Sequence, residues 1–138
     1  MLSLRRLQAA QAAVNGSTAF RALGSVDARV VMASGKSLFL ATFRAFGCAD
    51  VRRIDATDVR DGDFTIDMTP AQWRDYLAER ESGDGKSLAE LDLERGIVKA
   101  ANPRKKQDFF RYHQSLQQFV DALAGIAPAS WRSDRLTY

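Results

Sequence analysis

One cysteine, Cys48, and one histidine, His113, are all that this chain of 138 residues holds of either type. A lone cysteine excludes an internal disulfide, and the two together argue against a His/Cys metal cage. Neither a metal nor a cofactor is expected. No apolar run approaches the roughly 20 residues that span a bilayer. Arg5 and Arg6 lie near the start, yet no continuous apolar stretch follows them, so a secretory signal is not expected. Residues 1–26 lack any acidic residue, as transit peptides do, but the same segment reads well as a structural helix. The final Leu136-Thr137-Tyr138 is no peroxisomal address. A cytoplasmic protein is the expectation. Internal repeats and low-complexity segments are missing too, which removes repeat architectures.

A strong excess of one charge is also lacking. Lys and Arg number 20 against 17 Asp and Glu, a net +3. That is too mild to argue for a nucleic-acid partner. With 46% apolar and 27% charged residues, the composition is that of an ordinary folded domain. One domain over residues 1–138 is the natural reading of the length, with residues 126–138 as a C-terminal tail carrying Trp131 and Tyr138.

What is present is most explicit over residues 63–77. Phe64, Ile66 and Met68 alternate with Thr65 and Asp67, the period of a strand with one buried face. Trp73, Tyr76 and Leu77 then take up helical spacing. Thr69 is a good N-cap, Pro70 suits the first helical position, and Gln72 completes a capping box. Met68 and Trp73 fall at the two positions of a hydrophobic staple. The apolar face of the strand therefore runs onto that of the helix. Such a junction makes either a packed core or a lipid-sized pocket.

Around this stretch the pattern predicts an amphipathic helix over 2–14, ended by Asn15-Gly16. A short helix follows, capped by Ser17 and closed by Gly24. Residues 26–32 alternate as a first strand, and Ser34-Gly35-Lys36 turns. Residues 38–43 are apolar on both faces and suit a central strand with cover on each side. Residues 51–60 read as a charged edge strand. Asp61-Gly62 is the strongest hairpin signal, so the first four strands read as an antiparallel meander. Ser87 and Glu90 form a second capping box, and Gly96 stops that helix. Residues 97–100 are a short strand. Asn102-Pro103 caps a last helix whose stripe is Phe109, Tyr112, Leu116, Phe119, Val120 and Leu123. The result is an α+β layout, with helices covering one face of a mainly antiparallel sheet.

Few residues suggest chemistry. Gly35-Lys36-Ser37 and Gly85-Lys86-Ser87 end like a phosphate loop, but the required earlier glycine is Val30 in one and Arg80 in the other. Both read as turns. Cys48 and His113 lack an orienting third group for a nucleophile–base pair. Asp55, Asp58, Asp61 and Asp63 surround a predicted hairpin and read as hydrated. Arg104, Lys105 and Lys106 oppose the dipole of the helix they open. They read as a solvated cluster, or as the contact for an anionic partner such as a lipid headgroup. Phe109 and Phe110 point to two faces of one helix, so one of them leaves the main core and lines a groove or a subunit interface.

Taken together, residues 26 to about 124 resemble the sterol carrier protein 2-like (SCP2) domain family. The likeness rests on the leading helix, the strand meander, and Phe64-Thr65-Ile66-Asp67-Met68. It continues through Trp73 in the next helix, residues 87–94, the 97–100 strand and the final helix over 109–119. The resemblance implies a five-stranded sheet, helices on one face, and an apolar tunnel between them. It also implies non-catalytic binding of sterols, fatty acids or fatty acyl-CoA. Carried onto this sequence, Phe64, Ile66, Met68, Trp73, Leu77, Phe110 and Leu116 would line the pocket. The basic Arg104-Lys105-Lys106 turn and the missing peroxisomal address depart from the family pattern.

The expected function is carriage of an apolar or amphipathic small molecule, with no catalytic residue and with loop 82–87 as a lid. Membrane-surface contact is expected to be transient at most. Two other classes stay open. One is an enzyme on the same scaffold, an isomerase, lyase or hydrolase, with His113, Tyr112 and Asp67 as the residues to test. The other is an interaction subunit, a homodimer included, whose apolar surface and aromatic tail meet a partner.

Overall fold

Side-chain caps define the first elements. In this computed structural model, which describes residues 2–126, Ser3 accepts from the Arg6 N–H to open α1 (Leu4–Asn15). Ser17 likewise accepts from Phe20 N–H to open α2 (Thr18–Ala22). The chain then lays down β1 (Ala28–Ser34), β2 (Ser37–Arg44) and β3 (Gly47–Ile54) as antiparallel neighbours. A 3-10 helix, Ala56–Asp61, leads to β4 (Phe64–Met68) and α3 (Pro70–Ser82). After α4 (Leu88–Arg95) come a two-residue β5 (Val98–Lys99) and the long α5 (Pro103–Leu123). The tail beyond residue 126, with Trp131 and Tyr138, lies outside the described residues.

The fold is α+β, and its five strands run in the order β3-β2-β1-β4-β5. All neighbours are antiparallel except β1 and β4, which are parallel with Val30 opposite Phe64 and Ser34 opposite Met68. The expected meander therefore fails after the third strand. The charged edge strand is real but stops at Ile54. Beyond it the Asp58 carboxylate accepts the Asp55 N–H at 3.3 Å and turns the chain into the 3-10 helix. This segment crosses the far face of the sheet, where Val59 packs on a small cluster of Val31, Leu40 and Ile54. Gly62 is needed for the crossing, because a Cβ there would stand 2.6 Å from Val31 Cγ2. Asp61-Gly62 thus serves a close approach, not a hairpin.

The main core lies on the other face. Val30, Met32, Phe39, Phe43, Phe64 and Ile66 meet Leu7 and Val14 of α1 and Phe109, Leu116, Phe119 and Val120 of α5. The Phe43 and Phe119 rings meet edge to face at 5.2 Å, and Phe64 meets Phe109 in the same way at 5.7 Å. Trp73 is the anchor of α3. Thr69 and Gln72 form the reciprocal capping box, with bonds of 3.1 and 2.8 Å. The indole is 0% exposed, and its N–H donates to the Ala33 carbonyl at 2.8 Å. Gly83 and Gly96 end α3 and α4 in the left-handed conformation, at φ 88° and 62°.

Candidate functional site

Six of the seven residues expected to line a tunnel, Phe64, Ile66, Met68, Trp73, Leu77 and Leu116, belong to the packed core and are at most 3% exposed. They meet other core side chains there, so the junction of β4 and α3 is a packed one in this structure. Phe110 is the exception. It is 37% exposed, with its ring edge-on to Phe109, as the two-face spacing requires.

Two recesses lie at the ends of β4. At its N-terminal end a cleft of about 260 Å³ is walled by Val59, Phe64, Ala100 and Ala101. Its rim carries Arg60, Lys99 and Lys105, with one carboxylate, Asp63. Lys105 Nζ stands 3.9 Å from Asp63 Oδ1. The side chains of Arg60 and Lys99 have no hydrogen-bond or ion-pair partner among the described residues. Cations with little else to bind can accept an anionic group, and the wall beneath them offers apolar contact.

At the C-terminal end of β4 a cleft of about 500 Å³ opens between α3 and α4, floored by Met68, Tyr76 and Leu91. Its rim is mainly acidic: Asp75, Glu79, Asp84 and Glu94 against Lys86 and Arg95. Several of these groups are engaged. Lys86 pairs with Glu94, and Arg74 with Asp75 at 3.2 Å. Loop 82–87, expected to act as a lid, is pinned here. The Tyr76 hydroxyl donates to the Lys86 carbonyl at 2.9 Å, and Arg80 Nη1 to that of Gly85 at 3.1 Å. Arg80 also makes a bidentate pair with Asp121 of α5, both bonds at 2.8 Å, which holds its guanidinium pKa above the ordinary value. Gln117 completes the tie by donating to Tyr76 and Asp121 and accepting the Leu88 N–H.

The basic triplet at the start of α5 is divided. Lys106 is turned inward, bonded to the buried carboxylate of Asp92 at 2.9 Å and to the Val98 carbonyl at 2.8 Å. Asp92 in turn accepts the Val98 N–H, which fixes β5. Lys106 is thereby a structural cation, Lys105 lines the cleft rim, and Arg104 is exposed. The sequence offers no local sign that Arg60 and Lys99 join Lys105. They come from the crossover and from the shortest strand, and only the sheet order brings them together.

The residues named for catalysis do not converge. Asp67 projects from the face of β4 opposite Ile66 and Met68, away from α5. His113 lines a separate cleft of about 340 Å³ with Arg80, Gln117 and Asp121. Cys48 is buried, and its pKa is pushed up to about 12, chiefly by loss of solvent. That keeps it a thiol at neutral pH and unsuited to act as a nucleophile. Among the described residues no group of three or more His, Cys, Asp or Glu could hold a metal. No described helix is long and apolar enough to cross a membrane. No family model, no curated protein and no solved structure matches this chain.

Proposed function

We propose that this domain binds an amphipathic small molecule with an anionic head and an apolar chain, fatty acid-like, without chemistry. The observation that carries the reading is the cleft at the start of β4, where Phe64 and two alanines lie beneath Arg60, Lys99 and Lys105. The head bonds the rim cations. The chain enters over Phe64, between β4 and α5, and its burial contributes about 25 cal/mol per Å² of apolar surface. Because Phe64 and Ile66 are packed, deep insertion requires β4 and α5 to part. A relationship to the SCP2-like family and a cytoplasmic location belong to the same proposal.

The test is displacement of a fluorescent fatty acid by unlabelled fatty acids and by fatty alcohols of equal length. Lys99→Glu and Lys105→Glu should each weaken fatty acid binding about tenfold, the loss of one charge-assisted hydrogen bond, and leave the alcohols nearly unchanged. Absence of saturable binding across a series of such probes would remove the proposal.

A further inference from the structure

Strand register gathers several free ends at one place. Ala28 faces Phe43, Arg44 faces Gly47, and Val30 faces Phe64, so the β2–β3 turn, the start of β1 and the start of β4 share one end of the sheet. The tip of that turn is unusual. Ala45 has φ 55°, a backbone region that side chains other than glycine rarely adopt. The conformation is held on both sides: the Ala45 carbonyl accepts the Val26 N–H at 2.6 Å, and the Ala45 N–H donates to Asp27 Oδ1 at 3.3 Å. What this strained turn presents is Phe46, 52% exposed. An aromatic ring so placed adds little to folding.

Behind the tip, on the sheet face away from the α-helices, Thr42 lies in an open depression of about 620 Å³ that Arg29, Arg44 and Arg52 share with Asp27, Asp50 and Asp63. The side chains of Arg29 and Arg44 have no partner among the described residues. Arg52 has only a 3.8 Å contact with the exposed Asp50. Two of these carboxylates also accept backbone N–H groups, Asp27 from Ala45 and Asp63 from Arg29 at 2.8 Å, which fixes their positions and leaves their charge in place. Asp63 also lines the cleft of Arg60, Lys99 and Lys105, so the two regions are continuous and together carry six cations against three carboxylates.

We infer that this end of the sheet docks on an anionic lipid surface, with Phe46 entering the headgroup region and the arginines meeting lipid phosphates. Aromatic rings partition to that interface, and each surface cation adds about 1 kcal/mol near an anionic leaflet. A nucleic acid fits less well, since a single aromatic tip offers no platform for successive bases. The inference does not depend on an internal ligand. Docking is read without fatty acid, so its failure is distinct from failure of the carrier proposal.

The experiment is co-sedimentation of the full chain with vesicles of phosphatidylcholine alone and of phosphatidylcholine mixed with phosphatidylglycerol. Binding is expected only to the mixed vesicles, and less at high salt. Arg44→Gln and Arg52→Gln should each lower partitioning about fivefold. Phe46→Ser should lower it too, while Arg95→Gln at the opposite end leaves it unchanged. As a folding-independent readout, Phe46→Trp should gain blue-shifted emission over the parent protein when mixed vesicles are added. Equal binding to both vesicle types, no binding, or an equal loss in Arg95→Gln would overturn the inference. So would tighter binding to a single-stranded oligonucleotide that the same arginine variants abolish.

Discussion

Where β1 and β4 finish, α3 and α4 are fastened to α5 by half-buried polar bonds; where they begin, cations stand over an apolar wall with few partners. At the first end Arg80, Asp121, Gln117 and Tyr76 satisfy one another, and the loop between the helices is caught in the same network. At the second, Arg60 and Lys99 have no side-chain partner among the described residues, and Lys105 has a single loose one. Satisfied polar groups in a low-dielectric setting add rigidity, and removing one strands its partner. Unpaired surface cations add almost nothing to folding but keep their full capacity for an anion. Stability and binding should thus separate along β4.

The largest effect should come from the core that joins the two ends. Trp73→Ala deletes a fully buried indole and orphans the Ala33 carbonyl, so about 4 kcal/mol of stability should be lost in urea unfolding. A loss below about 1 kcal/mol would mean that Trp73 lines a space instead of filling one. Next, Asp121→Ala should cost about 2 kcal/mol, less than a fully buried pair because both partners keep some solvent access. Lys105→Ala, at the other end, should change stability by less than about 0.5 kcal/mol. If the two variants were equally destabilised, the contrast between the ends would collapse.

Local chemistry was legible wherever it was decided within a few residues. Thr69, Pro70 and Gln72 announced the start of α3, Ser87 and Glu90 that of α4, and the paired Phe109 and Phe110 their opposite fates. The α+β class followed from the order of such elements. The strand order did not, because Gly62 has two physical uses, a tight turn and a close crossing, and only the position of Val31 decides between them. The same held for cations. In sequence Lys106 is indistinguishable from its neighbours, and only the fold sets Asp92 beneath it; Arg60 and Lys99 lie far apart in the chain and meet only through the sheet order. Whether Met68 and Trp73 enclose a space was beyond periodicity, which records which face is apolar and not what it touches.

The smallest effect is also the most specific to the fastened end. Tyr76→Phe removes the hydroxyl that bonds Lys86 and Gln117 and should cost about 1 kcal/mol at neutral pH. Burial, partly offset by the Gln117 hydrogen bond, pushes the Tyr76 pKa from 10.0 up to about 12. An acid with a raised folded-state pKa stays neutral when folded while the unfolded chain has begun to ionise. Its contribution is complete below pH 10 and fades as pH rises toward about 12. Phenylalanine does not titrate. The stability gap between parent and variant should therefore be widest near neutrality and narrow steadily above pH 10. Cys48, raised from 9.0, is present in both proteins and cancels from the difference. A gap that widened with pH in paired denaturant titrations would mean that the phenolate, not the phenol, is the form this network holds.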